Sequence, residues 1–122
     1  LDEREAGDMD EVLERQLSEG LQGLKEADFA QLAVAYEPVW AIGTGVTATP
    51  EQAEDAHAFV RNVVAQNFEK SIADALRIQY GGSVKADNAA ELFSKPNVDG
   101  FLVGGAALQA EGFAKIVAAG AR

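Results

Sequence analysis

Leu32-Ala33-Val34-Ala35-Tyr36-Glu37-Pro38-Val39-Trp40-Ala41-Ile42-Gly43-Thr44-Gly45-Val46 passes from an apolar run, through a single carboxylate, to a proline and a glycine-bearing loop. The apolar run reads as a buried strand over 32–36 that delivers Glu37 at its C-terminal end. Pro38 ends the ladder, because it has no N–H to donate and its φ is fixed. The loop beyond has a stiff entry (Pro38, Val39, Trp40) and a supple exit (Gly43, Gly45). An acid at a strand end, under a loop with mobile glycines, is the arrangement of a base beneath a lid.

Working outward, Asp8 or Asp10 can cap a helix running to about Leu24, with Val12, Leu13, Leu17, Leu21 and Leu24 on one face. Thr49-Pro50-Glu51-Gln52 is a helix start: Thr49 at the N-cap, Pro50 in the first turn, Gln52 placed for a capping box. Ala53, Ala56, Phe59, Val60, Val63 and Val64 then recur at helical spacing. A helical turn over 71–76 leads to a second strand, 77–80, broken by Gly81-Gly82-Ser83. Asp87 caps a helix through Phe93, and Pro96-Asn97 turns the chain into a third strand, 100–103. Gly104-Gly105 closes that strand before a last helix at about 111–119.

The order is αβαβαβα, with strands apolar enough to be buried on both faces, as parallel strands under helices are. The helices cover only one face of a three-stranded sheet, and no second helical layer is encoded. The expected fold is therefore α/β, part of a closed (β/α)8 barrel, whose usual length is about 250 residues.

At 122 residues and 48% hydrophobic, the chain can build one modest core. No stretch approaches the roughly 20 apolar residues of a membrane span. It has no cysteine, which excludes disulfides and thiolate metal sites. Its net charge is −10, from 20 acids against 10 bases, which argues against nucleic acid or anionic membrane as a partner. Most of those acids read as solvated helix faces. Leu1 to Glu5 is too charged for a secretory sequence, so a cytoplasmic protein is the expectation. His57, alone of its kind, lies in a helix interior and reads as structural or solvent-facing; Arg61, Lys70 and Lys85 read as single cations without clustering.

Three segments carry a resemblance: Ala35 to Gly45, Tyr80-Gly81-Gly82-Ser83-Val84, and Asp99-Gly100-Phe101-Leu102-Val103-Gly104-Gly105-Ala106. Leu1-Asp2-Glu3-Arg4-Glu5-Ala6-Gly7 adds a fourth. Together they resemble the C-terminal half of the triosephosphate isomerase family, in order and over essentially the whole chain. The resemblance implies residues 1–31 as the helix after the fifth barrel strand. Strand six, lid and helix would occupy 32–76, the strand-seven unit 77–98 and the strand-eight unit 99–122.

That family is an established case of carboxylate pKa tuning and lid closure, so the roles below come with the resemblance and are not read from the residues. It implies Glu37 as the base that shuttles a proton between two carbons of a triose phosphate through an enediolate. Pro38, Val39, Trp40, Ala41, Ile42, Gly43, Thr44 and Gly45 would form the lid. The backbone N–H groups of Gly43, Ser83, Gly104 and Gly105 would hold the phosphate. Tyr36 and Trp40 would hold the lid's alternative positions, Tyr80 would contact the closed lid, and Leu102 would wall the carboxylate. No cofactor and no metal are implied. Val46 departs from the family, many of whose members carry a lysine there.

The residues fit those roles without requiring them. Glycine pairs let amides approach an anion, and a short helix after Gly105 would aim its positive end at it. Tight strand-to-helix turning explains the same glycines, and Ser83 could be a plain N-cap. The family's electrophilic histidine, substrate lysine and neighbouring asparagine, and its dimer-forming loop, belong to the other half. The partners implied are thus a triose phosphate, the N-terminal half of the same barrel, and a second copy in a complete homodimer. This chain alone is expected to be inactive and, with open sheet edges, a poor autonomous folder. The alternative is a non-catalytic phosphate-binding half-barrel, from fragmentation or engineering. Another phosphate-binding barrel, such as an aldolase or a histidine-biosynthesis isomerase, shares the glycine loops but leaves Glu-Pro-Val-Trp followed by Ala-Ile-Gly-Thr-Gly unexplained.

Overall fold

Burial alternates along the strands, and that alternation sets the architecture. The computed structural model describes residues 9–38 and 48–121. Three parallel strands form one sheet in chain order: β1 (Ala33–Tyr36), β2 (Arg77–Tyr80) and β3 (Gly100–Phe101). Val34 pairs with Ile78, Tyr36 with Tyr80, and Tyr80 with Phe101. Ile78, Tyr80 and Tyr36 are buried in the core, whereas Ala33, Ala35 and Arg77 on the opposite face are exposed. The expectation of strands buried on both faces therefore fails in the chain by itself. Among the described residues, helices cover one side only, and the other side is small and polar (Ala33, Ala35, Arg77, Gln79, Gly100).

Among the described residues, five α-helices accompany the sheet: α1 (Met9–Gly20), α2 (Pro50–Asn67), α3 (Lys70–Ala75), α4 (Ala89–Phe93) and α5 (Ala110–Ala119). α2 is the longest, and its start follows the expected chemistry. Thr49 Oγ1 accepts from the Gln52 N–H at 3.1 Å, and Gln52 Oε1 accepts from the Thr49 N–H at 3.0 Å. Ala53, Ala56, Val60, Val63 and Val64 are buried along one face. α1 stops at Gly20 rather than Leu24, and Gly23 takes a positive φ of 84° in the turn beyond it. Asp10 lies inside α1 rather than at its cap, and Asp8 is outside the described residues. A 3-10 turn over Glu26–Gln31, not expected from the sequence, buries Phe29 edge-on against Phe68 with ring centroids 4.6 Å apart.

Two further boundaries move. α4 begins after Asn88, not Asp87. β3 covers Gly100–Phe101 rather than continuing to Val103, although the Leu102 N–H still donates to the Tyr80 carbonyl at 3.0 Å.

Arg61 on α2 is not the isolated cation its sequence context suggests. Its Nε donates to Asn97 Oδ1 at 2.7 Å, its Nη1 to the carbonyls of Ala73 and Leu76, and its Nη2 to Asp99 Oδ2 at 2.7 Å. Asp99 Oδ2 also accepts from the Ile78 N–H at 3.0 Å. One guanidinium thus ties α2 to the entries of β2 and β3. One turn earlier, His57 is fully buried. Its Nδ1 donates to the Asn97 carbonyl at 2.9 Å, which places the proton on that nitrogen, since a carbonyl only accepts. Burial pulls the His57 pKa below the usual imidazole value, against the smaller opposing pull of Asn97 and nearby carboxylates. The ring packs against Tyr36 and Tyr80 at centroid distances of 5.7 and 6.0 Å.

Candidate active site

The strand register carries one residue past the strands. Because Tyr36, Tyr80 and Phe101 lie side by side, Glu37, Gly81 and Leu102 form the next row, on the open face. The Gly81 N–H donates to the Tyr36 carbonyl at 2.9 Å, which holds this row together. Glu37 is exposed, and its side chain lies across Gly81. A Cβ at position 81 would sit 2.6 Å from Glu37 Cγ and 3.5 Å from Leu102 Cβ. Gly81 is therefore the gap through which the carboxylate lies.

Gly82 is required for a different contact. A Cβ there would collide with the Tyr80 hydroxyl and lie 2.9 Å from Pro38 Cγ. Tyr80 thus packs under Gly82 and beside Pro38, at the point where the chain leaves β1. Its hydroxyl is buried without a well-formed hydrogen bond among the described residues. Burial pushes its pKa up to about 12, only partly offset by the nearby Ala48 backbone.

Gly104 and Gly105 differ from the first pair. A Cβ at either would meet nothing within 4 Å. No neighbour in the described chain requires them to be glycine, and the space they leave open lies on a cavity of about 650 Å³. Glu37, Gly81, Ser83, Leu102, Gly104 and Gly105 all border that cavity. Beyond Gly105 comes a 3-10 turn, Gly105–Leu108, too short to carry much of a macrodipole, so any pull on an anion rests on local N–H groups.

Ser83 has a φ of 60°, in the left-handed region that a non-glycine residue rarely adopts, and it is not the N-cap of a helix. Asn88 supports this conformation: its Nδ2 donates to the Ser83 carbonyl at 3.0 Å and its Oδ1 accepts from the Lys85 N–H at 2.7 Å. Asn88 escaped the sequence reading, whereas Lys85, read there as a single cation without clustering, borders the cavity. The signal for Lys85 was its place two residues after Ser83. Of the expected lid, Pro38 is described and buried; Val39, Trp40, Ala41, Ile42, Gly43, Thr44 and Gly45 lie outside the described residues. Among the described residues, no helix is long and apolar enough to cross a membrane.

Parallel strands under helices, with a carboxylate and open glycine amides bordering a cavity at the C-terminal strand ends, are consistent with part of a (β/α)8 barrel. Residues 1–120 match the family model described as triosephosphate isomerase. The chain belongs to the triosephosphate isomerase family. It is 60% identical over 117 residues to the triosephosphate isomerase of Citrifermentans bemidjiense, covering 96% of this chain and 47% of the relative. It is 54% identical over 119 residues to that of Rhodopirellula baltica, covering 98% of this chain and 47% of the relative. It is also 54% identical over 117 residues to that of Chloroherpeton thalassium, covering 96% and 46%. The chain thus spans about half the length of the curated relatives it matches.

Proposed function

We propose that this chain supplies the base and the phosphate cradle of a triosephosphate isomerase, which interconverts dihydroxyacetone phosphate and glyceraldehyde 3-phosphate. The observation that carries the reading is the cavity shared by the Glu37 side chain and the glycines of two strand ends. Isomerising an α-hydroxy carbonyl needs a base able to take a proton from one carbon and return it to its neighbour, through an enediolate. Glu37 is that base. The N–H groups of Gly104 and Gly105, with Ser83 and, from the lid, Gly43, hold the phosphate so that the carbon skeleton lies along the carboxylate. Leu102 gives that carboxylate an apolar wall, and lid closure over 38–45 removes water from around it. Tyr36 and Tyr80 support the lid's ends.

In this reading β1, β2 and β3 are barrel strands six, seven and eight. The open sheet face meets the N-terminal half of the barrel, which brings the histidine and lysine that polarise the carbonyl, and the complete enzyme is a cytoplasmic homodimer. The chain alone does not turn over substrate. The test is co-expression with the N-terminal half of the Citrifermentans bemidjiense relative. Isomerase activity is expected in the complex, and Glu37→Asp, which withdraws the carboxylate by about 1 Å, is expected to lower kcat about 100-fold. Full activity in Glu37→Asp would remove Glu37 from the mechanism.

A further inference from the structure

Lys85 stands out among the groups around the cavity that the proposed mechanism leaves unused. Its backbone is fixed by the Asn88 side chain at 2.7 Å, in the same loop as Ser83. Its side chain is exposed, and it borders the cavity that Glu37, Gly104 and Gly105 line. By contrast, the exposed Lys70 holds Asp74 at 2.7 Å, and the half-buried Lys95 reaches Glu51 at 3.3 Å. Lys85 alone among the cavity's lining side chains carries positive charge.

That position matters because of the field around it. The chain carries a net charge of −10, and Glu37 sets a fixed negative charge inside the cavity. Both repel a phosphorylated substrate. Remote acids are screened beyond a Debye length of about 8 Å at physiological ionic strength, whereas a cation on the cavity wall acts inside that range. Within this chain, the glycine amides supply no net charge to offset Glu37. The geometry points to Lys85 as an anion-capturing residue that offsets the Glu37 charge at the cavity and draws a phosphate dianion toward the Gly104 and Gly105 amides. It does not touch the carbons that react. This assignment rests on the phosphate-cradle reading above.

The test uses the complex of the full chain with the co-expressed half-barrel, with only the chain labelled with nitrogen-15. Inorganic phosphate is titrated in at several salt concentrations while the amide signals of Gly81, Gly104 and Gly105 are followed. Lys85→Gln is expected to weaken phosphate binding about two- to fivefold at low salt, the effect of one exposed charge contact. It is also expected to flatten the salt dependence, and Lys85→Arg to restore both. Lys70→Gln, which removes an equal charge away from the cavity, is expected to change neither. Equal affinity and salt dependence in the parent and Lys85→Gln, with the glycine amides still shifting, would overturn the role of Lys85 and leave the cradle standing. No shift at any of the three glycines in the parent would overturn both.

Discussion

Adding one methyl group at Gly81 tests whether the site depends on a gap in the sheet. In the described geometry, an alanine Cβ would sit 2.6 Å from Glu37 Cγ and 3.3 Å from its Cδ. Carbon atoms pack favourably at about 3.5–4.0 Å, so the Glu37 side chain must retreat by about 0.9 Å or more. It has room to do so, because Glu37 is exposed and the contact is with a flexible side chain rather than backbone. The backbone itself has no reason to object, since Gly81 has no positive φ. A 1 Å misplacement of a reacting group can cost about 100-fold in rate. Gly81→Ala is therefore expected to lower kcat in the complemented enzyme about 100-fold, with folding stability changed by less than about 1 kcal/mol. Steady-state kinetics and chemical denaturation of the same preparation separate the two. A kcat within about threefold of the parent would show that the carboxylate does not lie across position 81 during turnover. A stability loss above about 2 kcal/mol would show that the collision is with the framework and not with the base.

Three further outcomes follow from groups behind the site. His57 is buried and neutral with its pKa below 6.5, so the unfolded chain takes up a proton first as pH falls. Stability is expected to decline below pH 6.5, and His57→Asn, which keeps a donor for the Asn97 carbonyl, to reduce that decline in denaturation titrations; an unchanged slope would exclude His57 as its source. Tyr80, with a pKa of about 12 against the ordinary 10, is expected to ionise late in an ultraviolet titration. Stability should then be lost as pH rises from 10 toward 12, because the unfolded phenol gives up its proton first; Tyr80→Phe should remove that loss, and its persistence would assign it elsewhere. Arg61→Met keeps the stem but removes the guanidinium donor from Asn97, Asp99 and two carbonyls, leaving Asp99 Oδ2 with the Ile78 N–H, and about 3 kcal/mol of stability is expected to be lost in denaturant melts. A loss under about 1 kcal/mol would mean water replaces the guanidinium at little cost.

What was legible in the sequence was local. The Thr49-Pro50-Gln52 cap, the buried helical spacing of α2, and the strand ending in Glu37 and Pro38 each depend on neighbours a few residues apart. The class of fold followed from their order. What escaped was set by contacts across the chain. Arg61 reads as a surface cation because its partners Asn97 and Asp99 are 36 and 38 residues away. Asp87 and Asn88 are both good caps by type. The helix starts after Asn88, whose side chain binds back to the left-handed Ser83 and makes no capping hydrogen bond. The two glycine pairs look alike in the sequence, yet one is enforced by Glu37, Tyr80 and Pro38 while the other is unopposed. Chain alone also led to the expectation of strands buried on both faces, since apolar alanines do not reveal that nothing described lies opposite them.

The position of Glu37 and the register of the sheet are a single physical fact. Side chains alternate along a strand, so a slip of β1 by one residue would send Glu37 to the helix side and Tyr36 to the open side. On the helix side it would take the place of Tyr36 against Tyr80 and His57, where an unpaired carboxylate is costly. That cost, and the Gly81 to Tyr36 hydrogen bond, fix the register from the cavity end. Asp99, receiving both the Ile78 N–H and the Arg61 guanidinium, fixes β2 against β3 from the other end. The row Glu37–Gly81–Leu102 is aligned only while both ends hold. Arg61 is thus remote from the cavity yet bears on it, and its replacement should lower the apparent kcat in proportion to the loss of fold, with KM unchanged. A kcat that collapsed while the sheet remained intact would place a direct role for Arg61 in the chemistry and break this chain of reasoning.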